Sequence, residues 1–206
     1  MNREDILEAA LGIIDQDGLS SLNMRRLAAM LDAAPMSLYR YFENKNEILD
    51  GVVEVILRDL ESPLGRENWT RASEVLFWSL RGALCAHPNA LPLFASRHLS
   101  TWGSRRHAED LLDVYRISGF DDREASHLLS TLIGFTVGHV WILAGGFVGD
   151  LPEDEVPARS ATHVDSGGWF DSASSIGPGL SEAEERFASG LRMILDRPTV
   201  ANPPAG

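Results

Sequence analysis

Apolar side chains recur at helical spacing along most of this chain, and no stretch shows the alternation that strands require. Over residues 3–17, Ile6, Leu7, Ala10, Leu11 and Ile14 fall on one side of a 3.6-residue repeat. Glu4, Asp5 and Glu8 stand near its start, where the helix dipole favours anions. Gly18 is a natural stop, and "LSSL" after it predicts a turn. Asn23 is a candidate N-cap for a second helix that turns Met24, Leu27, Ala28 and Leu31 inward. "DAAP" ends that helix. Pro35 suits the first position of a third, where a missing N–H costs nothing. This third helix is short, over residues 36–42. "ENKN" predicts another turn with Asn44 as its cap. A fourth helix, from about 45 to 60, places Ile48, Leu49, Val52, Val53, Ile56 and Leu57 on its apolar face.

"ESPLGREN" at 61–68 breaks the pattern. Helical spacing resumes over 69–87, 89–97, 104–118, 122–148 and 181–196, with boundaries at "HP" (87–88) and "SGFDD" (118–122). Residues 150–180 are rich in Gly, Pro, Ser and Asp and predict a mobile loop, with a short helix around 153–159. The tail, 199–206, is expected to be disordered. The chain is therefore expected to be all-α. A three-helix, helix-turn-helix domain occupies residues 1–46 and a larger helical domain residues 47–198.

One apolar stretch, "LIGFTVGHVWILAGGFV" at 132–148, is just long enough to be weighed as a membrane span. It holds His139 and several glycines and lacks flanking aromatic and basic anchors, so a buried helix is the expectation and no membrane partner is expected. Composition narrows the picture further. The chain has 206 residues, 44% of them hydrophobic, and a formal net charge of -12. Such a charge opposes general affinity for nucleic acid or anionic membranes. It leaves room for a local basic face. Cys85 is the one cysteine, so no intrachain disulfide exists, and a reducing, cytoplasmic location is expected. Its apolar "ALCA" surroundings suggest a buried, inert thiol. The first residues, "MNREDILEAALGII", lack the basic start and continuous apolar run of a secretory signal.

The six histidines show no metal-ligand spacing, and no G-x-S-x-G, P-loop or G-x-G-x-x-G motif occurs. No catalytic constellation supports an enzyme, and neither a cofactor nor a bound metal is expected.

Residues 23–42 carry the chemistry that remains. Helix, tight turn and short helix form a helix-turn-helix pattern. In a DNA-binding version, the second helix enters the major groove. Met36, Ser37 and Arg40 would then face bases. Tyr39 and Tyr41 would offer hydroxyls to phosphates, and Arg25 and Lys45 would supply charge. Residues 23–46 hold four basic side chains against two acidic ones, whereas residues 1–22 hold one against five. The same shape also serves as a plain packing unit, and Leu38 and Phe42, four apart, suit a core.

"EDILEAALGIIDQDGLSSLNMRRLAAMLDAAPMSLYRYFENKNEILDGVV" closely resembles the N-terminal domain of the tetracycline-repressor-like (TetR) family of transcriptional regulators. The shared features are the A-A-L helix, the "GL" turn, "MRRLA", "LYRYF" and "NK". More loosely, "RGALCAHPNA", "SGFDDREA", "GFTVGHV" and "FASGLRMIL" resemble the second domain of the branch nearest the tetracycline repressor. The resemblance implies a homodimer that binds a palindromic operator in double-stranded DNA and is released by a small-molecule effector. It makes 47–198 the ligand-binding and dimerisation domain. It carries DNA contact onto Arg25, Pro35, Met36, Ser37, Tyr39, Arg40, Tyr41 and Lys45, with Tyr39 and Lys45 on phosphates.

This chain departs from the family pattern at several positions. Asp32 replaces the usual turn glycine, Asn23 the usual Thr cap, and Tyr41 a histidine. Ala34 gives the recognition helix no capping side chain, a loss of about 1 kcal/mol. Little chain precedes the first helix, so minor-groove contacts from a basic arm are not expected. These departures motivate an alternative, a small-molecule-binding dimer with weak or lost DNA binding.

The second domain is rich in large apolar groups, which suit a mostly apolar ligand chamber or simply a core. The candidate pocket residues are Phe77, Leu80, Leu84, Phe94, His98, Trp102, Leu111, Tyr115, Phe135 and His139. Phe94 stands where the tetracycline repressor has its metal-binding histidine. The resemblance therefore implies an apolar or aromatic effector and not a metal–tetracycline complex. It also implies a dimer bundle built from two helices of each copy, carrying Leu132, Gly134, Gly138, Trp141, Phe187, Leu191 and Ile194. The glycines four apart would permit close helix approach.

Overall fold

The computed structural model of the chain describes residues 1–96, 105–144 and 180–196. The helices among them are α1 (Arg3–Asp17), α2 (Met24–Met30), α3 (Pro35–Leu38), α4 (Lys45–Leu57), α5 (Trp69–Ala86), α6 (Leu91–Ser96), α7 (Arg105–Ile117), α8 (Asp122–Leu143) and α9 (Leu180–Leu195). Single 3₁₀ turns lie at Leu19–Ser21 and Pro88–Ala90. No strand occurs among the described residues. His98, Trp102, most of the expected loop at 150–180 and the tail at 199–206 lie outside them.

The chain divides into two units, Met1–Ala144 and Gly145–Gly206. In the first, α1 is wedged between α4, α2 and the 3₁₀ turn at Pro88–Ala90. Contact on several sides explains why its buried arc is wider than one stripe. Ile6, Ala10, Ile13 and Ile14 are all fully buried. Ile48, Val52 and Val53 of α4 meet this arc. The two helices approach so closely that a Cβ on Gly51 would lie 2.5 Å from a methyl of Leu7.

Polar caps define most helix starts. Asn2, Asn23, Asn44, Asn68 and Asp121 each accept a backbone N–H of their helix's first turn. Asn2 with Asp5 and Asp121 with Glu124 form reciprocal capping boxes. Ala34 makes no such bond. The short third helix ends at Leu38 and not at residue 42. From there the chain continues in tighter turns, Arg40 N–H to Ser37 O at 3.4 Å and Tyr41 N–H to Leu38 O at 2.9 Å. The fourth helix stops at Leu57, three residues short of the expected end.

Helix α8 lays Ala125, Leu128, Leu132, Thr136 and Val140 against α5, α6 and α7. By length and composition it could cross a membrane, but this stripe is buried in helical packing. Its hydroxyls bond within the helix, with Ser130, Thr131 and Thr136 each donating to the carbonyl four residues back at 2.8 Å. An aromatic cluster fills the space where α5 meets α7. Trp69, Tyr115 and Phe120 stand 5.0–6.1 Å apart. Ser73 has one hydroxyl proton, which it gives to the Trp69 carbonyl at 2.8 Å. The bond of 2.7 Å between Tyr115 and Ser73 must therefore be donated by tyrosine. Burial pushes the Tyr115 phenol well above its ordinary range, against a smaller downward pull from Ser73.

Two polar links tie α1 to the α5–α6 joint. His87 Nδ1 lies 2.9 Å from Asp15 Oδ2, and Asn89 Nδ2 donates to the Asp15 carbonyl at 2.8 Å. In the second unit, α9 carries buried Phe187, Leu191 and Leu195 at four-residue spacing, with Met193 exposed.

Candidate nucleic-acid interface

The turn between α2 and α3 sets the site. Leu31 caps α2, Asp32 follows at φ 48°, Ala33 N–H returns to Ala28 O at 2.9 Å, and Asp32 N–H returns to Ala29 O at 3.2 Å. This is a Schellman closure with aspartate in the left-handed position that glycine ordinarily fills. It turns the chain sharply enough for Pro35 to begin α3 at once.

Two faces then separate along 35–42. Leu38 and Phe42, four apart, are buried. Met36, Tyr39 and Arg40 face out, Met36 with 75% and Tyr39 with 47% of its surface exposed. Ser37 is half-buried between the faces, and Pro35 is exposed. The outward face belongs to a segment whose inward face is fixed in the core.

A clamp holds the far end of this segment. The Arg3 guanidinium sits 4.1 Å from the centre of the Phe42 ring, donates to the Tyr41 carbonyl and pairs with Glu47 at 2.9 Å. The other Glu47 oxygen accepts Glu43 N–H at 2.7 Å. That backbone bond first, and Arg3 second, hold the Glu47 carboxyl below its usual range. The Asp5 carboxyl is lowered in the same way, by the Asn2 backbone N–H and then by the terminal ammonium.

These bonds sort the sequence-derived candidates. Tyr41 is half-buried and donates its hydroxyl to the Met1 carbonyl at 3.0 Å. Lys45 donates to the Leu22 carbonyl at 2.6 Å, so its ammonium is anchored at the α1–α2 junction with two protons left for another acceptor. Arg26 is paired with Asp17. Arg25 and Arg40 are exposed and make no ion pair with any described residue. The net positive charge of 23–46 is therefore presented mainly by these two exposed guanidiniums, Arg40 next to Tyr39 in the outward segment and Arg25 in the first turn of α2. Next to the clamp, Glu43, Asn44, Asn46, Glu47 and Asp50 line a surface depression of about 460 Å³. Its carboxylates would repel phosphate.

The candidate chamber residues fall into three groups. Phe77, Leu80, Leu84, Phe94, Leu111 and Tyr115 are buried. Phe135 and His139 are half-buried, their rings 6.1 Å apart. His98 and Trp102 lie outside the described residues. Among the described residues no group of His, Cys, Asp and Glu is placed to hold a metal ion. Among the candidates for a subunit interface, Gly134, Gly138, Trp141 and Ile194 keep exposed surface, and a Cβ on either glycine would meet nothing within 4 Å. Leu132, Phe187 and Leu191 are buried. Cys85 is exposed, contrary to the expectation from its neighbours. The buried stripe of α5 passes through Leu76, Phe77, Leu80, Arg81 and Leu84, and Cys85 falls one position beyond it.

Comparison with known proteins agrees with this architecture. The family described as "Bacterial regulatory proteins, tetR family" matches residues 6–52, and "Tetracyclin repressor-like, C-terminal domain" matches residues 62–196. The HTH-type transcriptional repressor DrrR1 of Streptomyces coeruleorubidus is 34% identical over 135 residues, 65% of this chain and 50% of that protein. The chain thus spans about half the length of this curated relative. A possible TetR family transcriptional regulator from Streptomyces coelicolor A3(2) superimposes with a TM-score of 0.74 at 30% identity, covering 95% of this chain and 97% of that one. ActR of Streptomyces coelicolor, solved in complex with (S)-DNPA, gives 0.68 at 25% identity, covering 95% of each chain. BioQ bound to its double-stranded DNA operator gives 0.60 at 27% identity, covering 71% of this chain and 88% of that one.

Proposed function

This chain belongs to the tetR family of bacterial regulatory proteins, and from that premise we propose that it is a ligand-responsive transcriptional repressor of the cytoplasm. It binds a palindromic operator as a homodimer and is released by a small apolar or aromatic effector. The observation that carries this reading is the two-faced segment at 35–42. Leu38 and Phe42 anchor it, Arg3 clamps its end, and Met36, Tyr39 and Arg40 stand outward, with Arg25 of α2 also exposed and unpaired.

In this reading Arg25, Lys45 and Tyr39 hold phosphates, which fixes register, and Arg40 reaches a base edge, where guanine is the commonest partner of arginine. Pro35, Met36 and Ser37 approach the bases. Tyr41 acts through its bond to Met1 as a brace. Gly134 and Gly138 leave open surface on α8 for close approach of a second copy. The operator complex of BioQ and the small-molecule complex of ActR support the two halves of the proposal.

The test is a gel-shift titration of the purified protein against DNA flanking its coding region, at two salt concentrations with non-specific competitor. A discrete shift should survive competitor and weaken steeply with salt. Its footprint should contain two half-sites about one helical turn, or a multiple, apart. Arg25→Ala and Arg40→Ala should each weaken it. Retained affinity in both variants would refute the contact assignment.

A further inference from the structure

The outward face of the recognition segment has an unusual chemistry for a base reader. Its leading edge is Ala34, Pro35 and Met36, all exposed, and Ala29 and Met30 of α2 are exposed beside the same turn. None of these five side chains has a hydrogen-bonding group of the kind that reads base edges. Met36 is the most exposed large apolar residue in α1–α4. It has no structural duty there, since Leu38 and Phe42 already supply the core contacts of the segment. Arg40, four residues after Met36, is exposed and makes no ion pair with a described residue, and its charge is complementary to the DNA backbone.

The major groove displays one apolar group, the C5-methyl of thymine. We propose that Met36, with Pro35 beside it, is a specificity-determining residue that recognises operator half-sites through thymine methyl groups, while polar discrimination is left to Arg40 and Ser37. Methionine suits the task, because an unbranched, polarizable side chain moulds itself to a methyl-lined surface. The inference rests on the regulatory reading above and specifies what the same surface reads.

The experiment uses the full chain. Duplexes are first selected from a random-sequence pool, and each thymine of the enriched half-site is then replaced singly by deoxyuridine. That exchange removes one methyl and leaves every hydrogen-bonding group in place. At one position, binding by the native protein should fall about fourfold per half-site, and about 15-fold when both half-sites are changed, as expected for loss of roughly 0.8 kcal/mol of methyl burial in each. Met36→Ala should bind the thymine and deoxyuridine duplexes equally well. Because this side chain is exposed, the variant should keep its helical circular dichroism, and Met36→Leu should retain part of the discrimination. If no deoxyuridine position matters to the native protein, or if Met36→Ala still discriminates, the inference fails while sequence-specific binding stands. If no duplex is enriched at all, the regulatory reading falls and this inference falls with it.

Discussion

In α1–α4, polar side chains reach across the fold. Arg3 bonds to residues 38 and 44 positions away, Tyr41 to Met1 and Lys45 to Leu22, and Arg58 meets Glu4 at 2.5 Å. In α5–α8 several described charged pairs are local. Arg71 meets Glu74, Arg116 meets Asp113 and Asp122, and the helix hydroxyls bond to their own carbonyls. Long-range order there comes from burial of large rings such as Phe77 and Tyr115. The first region has a small aliphatic core and must hold one outward segment at a defined angle, which directional bonds do well. The second relies more on non-directional burial, with the buried Tyr115–Ser73–Trp69 chain as a directional tie between α5 and α7.

The contrast can be broken most forcefully at Tyr115. Tyr115→Ala should destabilise the protein by about 3–5 kcal/mol, the usual result of removing a buried ring, read by chemical denaturation. A loss below about 1 kcal/mol, the scale of a surface substitution, would mean that burial does not dominate this region.

A smaller effect of opposite sign is expected at Asp32. Glycine there relieves the left-handed backbone at φ 48°. Asp32→Gly should stabilise by up to about 1 kcal/mol and strengthen DNA binding by removing a negative charge beside the reading face. Reduced stability would show that the aspartate side chain supports the turn.

The subtlest test is pH. Glu47 and Asp5 have lowered carboxyls, so their contribution is present above the ordinary carboxylate range and is lost as pH falls through their folded values. Tyr115 has a raised phenol. Its contribution is present below about pH 10, the unfolded value, and is lost as pH rises further, because the unfolded chain ionises first. Glu47→Gln should flatten the acid limb of the stability profile alone, and Tyr115→Phe the alkaline limb alone. A single substitution that flattened both limbs would contradict the division.

Much of this was legible along the chain because it is local. Helix periodicity, Gly18 as a stop, the Asn23 and Asn44 caps, Pro35 at a helix start and a left-handed Asp32 all depend on neighbours within a turn or two. The Asn2–Asp5 box was equally readable from "NRED" but passes unnoticed beside the acidic first turn. Tyr41 and Lys45 were harder, since their partners lie 40 and 23 residues away and no spacing rule marks them. Helical spacing predicts the short third helix to residue 42, because Leu38 and Phe42 keep that spacing through a stretch that is tightened into turns. Leu132 lies two residues before Gly134, and its place in the 125, 128, 132, 136, 140 series puts it on the buried stripe of α8. Cys85 shows the same limit, because apolar neighbours do not fix the azimuth of a side chain.

The links from His87 and Asn89 to Asp15 have a mechanical meaning. They grip α1 near its last turn, whereas Arg3, in its first turn, grips the end of the recognition segment. Between these grips, from Arg3 to Asp15, runs a helical lever about 18 Å long. Pivoted at one end, such a lever moves the other by about 1.6 Å for every 5° of tilt, roughly three times the ~0.5 Å spread of good hydrogen-bond lengths at a base edge.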